Sequence, residues 1–241
     1  MNGSASGWRA QISWLTAEEW EAVRLTLDVS ARAVAFDLPI AVAASLALAR
    51  GRFPGRALLD AVVLLPLVLP PVVVGWLLLV VFGLHGPIGA WLWSWFGVRL
   101  VFTRAGAVLA CAVMIFPLMV RAIRLSLEGV DPGLEQAART LGAGGLDRFF
   151  TITLPLAGSG VLTGAVIGFA AALGEFGAVI TFAANIPGQT QTLPLAIYSA
   201  LQAPGGEATA ARLSMVSVVM AVVFLLVAEW LSRGLKLRIG R

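Results

Sequence analysis

Residues 131–155, DPGLEQAARTLGAGGLDRFFTITLP, form a polar island between two long apolar runs. Asp131 is a good N-cap, Pro132 suits a first helical position that needs no N–H, and Gly142 stands where a left-handed residue ends a helix. These signals predict a helix of about ten residues. Along it Leu134, Ala137, Ala138 and Leu141 recur at helical spacing, an apolar stripe with small residues at its centre. So short a helix is marginal alone in water and needs a surface to rest on. Two surfaces fit: lipid headgroups, or a groove in another protein, which the two alanines would let approach closely.

Outward from the island the chain is apolar. Of its 241 residues 59% are hydrophobic and 12% charged, too greasy for a soluble domain of this length. The reading is an all-α polytopic membrane protein, one domain over residues 1–241, with a loose segment at 1–15 and the island as a loop. About five spans are predicted, at Leu25–Ala49, Ala57–Phe82, Ala105–Ile123, Ala157–Phe182 and Leu213–Leu231, each long enough for a hydrocarbon core of roughly 30 Å. Thr16 with Glu19 reads as a capping box, so a helix starts near Ala17, carries Trp20 and Val23 along the membrane surface and runs into the first span. Residues 1–13 lack the layout of a cleaved signal peptide.

The basic residues set the orientation. Arg50, Arg52 and Arg56 crowd the first loop, Arg121, Arg124, Arg139 and Arg148 surround the island, and Arg233, Lys236, Arg238 and Arg241 fill the tail. These regions alternate so as to share one side, which the positive-inside rule makes cytoplasmic. The N-terminus then faces outward. Arginines clustered at the ends of apolar runs report topology, which argues against nucleic acid as a partner. One cysteine, Cys111, and one histidine, His85, exclude an internal disulfide and argue against a metal centre.

Several intramembrane features depart from a plain lipid-facing helix. Pro66, Pro70 and Pro71 must break or kink the second span, so that helix lines protein or water. Arg32, Asp37 and Asp60 put charge in or near the first two spans. In the fourth span Gly164, Gly168, Gly174 and Gly177 reduce bulk, either to pack helices or to clear a path, and Glu175 sits among them. The 84–104 loop carries Trp91, Trp93, Trp95 and Phe96, an interfacial aromatic belt. The 183–212 loop offers Asn185, Gln189, Thr190, Gln191 and Thr192, and a short helix follows Thr192 to near Leu201, either a gate or a surface helix. No phosphate-cradling loop precedes the single lysine, Lys236, and no catalytic constellation is present.

The island resembles the signature loop of ABC importer permeases, in which Ala137, Ala138, Gly142, Ile152, Leu154 and Pro155 occupy matching positions. Gln136 departs from it, standing where the loop has a glutamate, with Glu135 just before. LLDAVVLLPLVLPPVVVG, FPLMVRAIRLSLEGVD, LGEFGAVITFAANIPGQTQTLPLAIY and PGGEATAARL extend the resemblance, over nearly the whole chain, to molybdate importer permeases. The resemblance implies a type I importer permease fold in a bacterial inner membrane, moving molybdate inward by alternating access. Its implied partners are a second copy of the chain, a cytoplasmic ATPase dimer that binds ATP and Mg, and a periplasmic molybdate-binding protein. This chain would hold no cofactor or metal and catalyse nothing itself. The ATPase would dock on Leu134, Glu135, Gln136, Ala137, Ala138, Arg139, Leu141 and Gly142. The path or its gate would use Pro70, Pro71, Gly75, Gly174, Glu175, Phe176, Gly177, Thr190 and Thr192. Sulfate or tungstate could replace molybdate as substrate, and an ATP-independent ion-coupled transporter using Arg32, Asp37 and Glu175 is a further alternative.

Overall fold

The computed structural model describes residues 15–239, with the side chains of 231–239 outside the description. The expectations for residues 1–13 and for the basic tail side chains therefore lie outside the described residues. Every regular element described is helical.

The capping box forms as predicted. The Thr16 N–H donates to Glu19 Oε2 at 2.7 Å and the Glu19 N–H to Thr16 Oγ1 at 3.2 Å. From it α1 runs unbroken from Ala17 to Arg50. The helix starts at Ala17 and runs on into the first span as expected, but Val23 is buried, and Trp20 alone of that pair is exposed. The first-span charges Arg32 and Asp37 do not pair with each other. Arg32 Nε donates to Asp28 Oδ1, one turn back, at 2.8 Å, and leaves Asp37 buried without it.

The second span is broken where the prolines require it. Helix α2 (Arg56–Val68) and α3 (Pro71–Phe82) meet at Leu69–Pro70 with a bend of 117°. After α4 (Pro87–Phe96), whose three tryptophans are each more than half exposed, comes α5 (Arg104–Glu128). This helix is the mast of the bundle. One of its faces, through Ala107, Cys111, Ile115, Met119 and Ile123, is buried, and α1 packs along it. Ser45 of α1 donates to Val120 O at 3.0 Å and so meets a polar need inside the apolar seam.

The island follows as α6 (Pro132–Thr140), α7 (Gly145–Arg148), a π-helical turn over Phe149–Thr153 and α8 (Leu154–Leu156). The fourth span is a correction to the sequence reading. It is not one helix over 157–182 but α9 (Gly158–Leu173), bent 65° from the preceding segment, then a break at Gly174–Phe176, then α10 (Gly177–Ala183). The packing reading holds for Gly164 and Gly168, where a Cβ would come within 2.9 Å of Ile123 and 2.7 Å of Met119. Helix α11 (Leu193–Gln202) ends one residue past its predicted limit, and α12 (Glu207–Ile239) is the last of the described elements. Among the described residues, three helices are long and apolar enough to cross a membrane, or five spans if each bent pair counts as one.

Candidate functional site

Two regions concentrate the residues picked out by the sequence, one at each break in the helical bundle. The first is the island. Asp131 Oδ1 accepts from the Gly133 N–H at 2.8 Å, Pro132 takes the first helical position, and Gly142 adopts φ +90°, where a side chain would be strained. These three residues set both ends of α6. No residue of α6 is buried: Leu134 is 47% exposed and Leu141, just past its end, 88%. An apolar stripe on an amphipathic helix is thus left open to solvent in the isolated chain.

What fixes α6 is a knot of polar groups behind that stripe. Arg50, the last residue of α1, donates from Nη2 to Leu127 O at 3.2 Å, in the last turn of α5, and to Val130 O at 3.0 Å, just past its end. The same nitrogen lies 3.4 Å from Glu135 Oε1, and Thr153 Oγ1 donates to that carboxylate oxygen at 2.8 Å. One arginine and one glutamate therefore tie together α1, α5, α6 and the π-helical turn that leads into α9. Gln136, Ala137 and Arg139 are exposed, and Ala138 is half-buried. Glu135 alone of the eight predicted docking residues makes this inward connection.

The second region is the pair of breaks at α2–α3 and α9–α10. Here Pro71, Gly75 and Gly177 come together. A Cβ at Gly75 would sit 2.7 Å from Thr181 Cβ and 2.8 Å from Ala178 O, and one at Gly177 would sit 2.6 Å from Pro71 Cβ. Only glycine lets α3 lie this close to α10. Glu175 Oε1 accepts from the Ala178 N–H at 2.9 Å, so its carboxylate caps the free amides at the start of α10. Phe176 turns to Tyr198 of α11, ring centroids 5.2 Å apart. Gly174 is exposed, and Pro70 forms the N-cap of α3.

Thr190 and Thr192, the last two predicted gate residues, point into protein. Thr190 is fully buried; its hydroxyl accepts from the Ile186 N–H and donates to Ala184 O, both at 3.0 Å. This closes a turn in which Ala184 takes φ +62°, an uncommon conformation for a residue with a side chain. Thr192 is buried at the start of α11, and the next N–H, of Leu193, donates to Thr26 Oγ1 of α1 at 2.7 Å. Leu193 and Leu195 are fully buried, so α11 packs into the bundle and is not a helix laid on its surface. Beside it Asn185 Nδ2 and Gln191 Nε2 both donate to Ser199 Oγ, at 2.6 and 3.3 Å.

Sequence reasoning missed three contacts. Asp60 pairs with Arg124, at 3.0 Å, and Arg124 also holds Glu128 at 2.8 Å. Arg212 is bound to Glu19 in the first turn of α1. Burial would raise the Glu19 carboxyl, but hydrogen bonds from Arg212 and from the Thr16 N–H outweigh it and hold the group below its ordinary value. Arg104 donates to Gly188 O at 3.3 Å. No sequence signal gave these partners, which are 64, 193 and 84 residues away.

The family model for the binding-protein-dependent transport system inner membrane component matches residues 39–237. The chain belongs to this family. The Molybdenum transport system permease protein ModB of Escherichia coli K12 is 59% identical over 227 residues, covering 94% of this chain and 99% of that protein. The Sulfate transport system permease protein CysW of Synechocystis is 35% identical over 205 residues, covering 84% of this chain and 74% of that protein. Among solved structures, a bacterial alginate ABC transporter in complex with an alginate-bound periplasmic protein superposes with a TM-score of 0.76 at 19% identity, over 98% of this chain and 84% of the other. The fold is that of type I ABC importer permeases.

Proposed function

We propose that this chain is the membrane-spanning subunit of an ATP-driven importer that carries molybdate into the cytoplasm. The single observation that carries the substrate is the 59% identity to a molybdenum permease over almost the full length of both chains. The lower identity to a sulfate permease supports the same choice.

The geometry supports the division of labour. The chain contains no phosphate-cradling loop, so ATP and Mg bind a separate ATPase dimer. That dimer grips the open stripe of α6, one copy of the permease per ATPase subunit. The knot of Arg50, Glu135 and Thr153 passes the movement of α6 to α1, α5 and α9 together, so the bundle turns as a body while the partner subunits close and open. By the positive-inside rule the end bearing Arg50, Arg52 and α6 is cytoplasmic, and α4, α11 and the 183–192 turn meet a molybdate-loaded binding protein outside. Two copies enclose the path, with the breaks at Pro70–Pro71 and Gly174–Gly177 at its flexible points.

The test is reconstitution. The permease is purified with whatever ATPase accompanies it and placed in vesicles with a binding protein loaded in turn with molybdate, tungstate or sulfate. ATP-dependent uptake of molybdate is the expected result. Uptake of sulfate alone transfers the assignment to sulfate; uptake without ATP, from a permease purified without any ATPase, overturns the importer reading.

A further inference from the structure

Resting on that reading for the identity of the transported anion, we propose that the groove between α2, α5 and α9 is an oxyanion-binding station at the cytoplasmic end of the path, with Arg121 as its cation. The groove encloses about 970 Å³. Its walls carry ionisable and hydroxyl side chains at the basic ends of three spanning segments, among them Asp60 of α2, Arg121 and Arg124 of α5, and Ser159 and Thr163 of α9. Such groups in an apolar chain mark a face turned to water or to another copy. By contrast α12 presents Met215, Val218, Val219, Val222 and Leu226 outward, each about half exposed or more, a face suited to hydrocarbon.

Charge bookkeeping singles out one residue. Both acids that line the groove, Asp60 and Glu128, are held by Arg124, at 3.0 and 2.8 Å. Arg121, one turn before it on α5, is exposed and has no ion pair among the described residues. Its guanidinium offers five N–H donors in the planar fork that fits a tetrahedral oxyanion. Across the groove Thr163 donates to Ser159 O at 2.7 Å, and the Ser159 hydroxyl has no hydrogen bond among the described residues, so it is free to donate. A cation and a hydroxyl facing one open, wet space give an arriving dianion a partial replacement for its hydration shell. The exposure keeps the attraction weak enough for release. A lipid phosphate headgroup shares this chemistry, so the experiment separates the two sources.

The probe is radiolabelled molybdate, in equilibrium dialysis against the complete transporter in detergent, without nucleotide and at two ionic strengths. Wild type should retain molybdate, less at high salt, and Arg121→Gln should weaken retention about tenfold or more, Arg121→Lys less. Arg52→Gln, which removes the same charge from an exposed loop, serves as the control for general electrostatics and should bind as wild type. Equal retention by Arg121→Gln and wild type overturns the station, as does an equal loss in Arg52→Gln. So does a wild type that retains no molybdate but shows, by native mass spectrometry, an anionic lipid that Arg121→Gln loses. Uptake from the loaded binding protein is measured on the same preparations. Normal uptake without retained molybdate removes the station and leaves the importer; no uptake with any loaded protein removes the importer, while dialysis still decides the station.

Discussion

Glu135 sits on the otherwise open α6, yet its carboxylate faces back into the permease toward Arg50 and Thr153. Charged hydrogen bonds of this kind contribute about 2 kcal/mol each. Arg50→Gln should therefore lower the thermal midpoint of the purified transporter by a few degrees. It should also reduce molybdate taken up per ATP hydrolysed by more than that loss of stability explains. An unchanged ratio of uptake to ATP hydrolysis would show that the knot only stiffens the fold. At Gly75 the argument is steric. A Cβ there meets backbone of Ala178 at 2.8 Å, which cannot swing aside, so Gly75→Ala should cost about 1–3 kcal/mol in stability. Gly174, whose Cβ would meet no atom nearer than 3.9 Å, should accept alanine with little change when the two variants are melted side by side.

At the scale of elements, α6 was readable because its signals are local: Asp131, Pro132 and Gly142 lie at its ends, and each acts on its own backbone. The elbow between α2 and α3 was readable for the same reason, since a proline lacks its N–H wherever it sits. The pairing of Arg32 had a local signal too. Asp28 lies one helical turn away, nearer on the helix surface than Asp37. What the sequence could not show is contact between distant elements: the Arg50–Glu135 knot, the approach of α3 to α10, and the capping of α10 by Glu175, which depends on a break that no proline announces. The stripe of α6 carries its own prediction. Ala138→Trp should leave the melting profile of the isolated permease close to wild type, because Ala138 is only half-buried on a helix with no fully buried residue, while cutting ATP-driven uptake about tenfold or more by filling the partner groove. Normal uptake by this variant would remove the docking role from α6.

At the scale of the whole molecule, the Glu19–Arg212 pair joins the first turn of α1 to the second turn of α12 and so ties the beginning of the bundle to its last described helix. Because the folded protein holds the Glu19 carboxyl below its ordinary value near 4.5, the pair stabilises the fold fully above that pH and loses its effect as the pH falls through the lowered value. The melting difference between wild type and Glu19→Gln should be constant from pH 6 to 8, and should shrink only in acid. A difference that already declines near neutrality would contradict this assignment. The elbow at Pro70 has a consequence of its own at this scale. Pro70 and Pro71 have no N–H to give, so the carbonyls four residues earlier, Pro66 and Leu67, lack their helical donors in the middle of an otherwise greasy segment. Oil cannot quench those two oxygens. They must be wetted by a few molecules of solvent or met by a neighbouring chain, and the permease thus carries a small hydrophilic foothold into the depth of the bilayer before any cargo arrives.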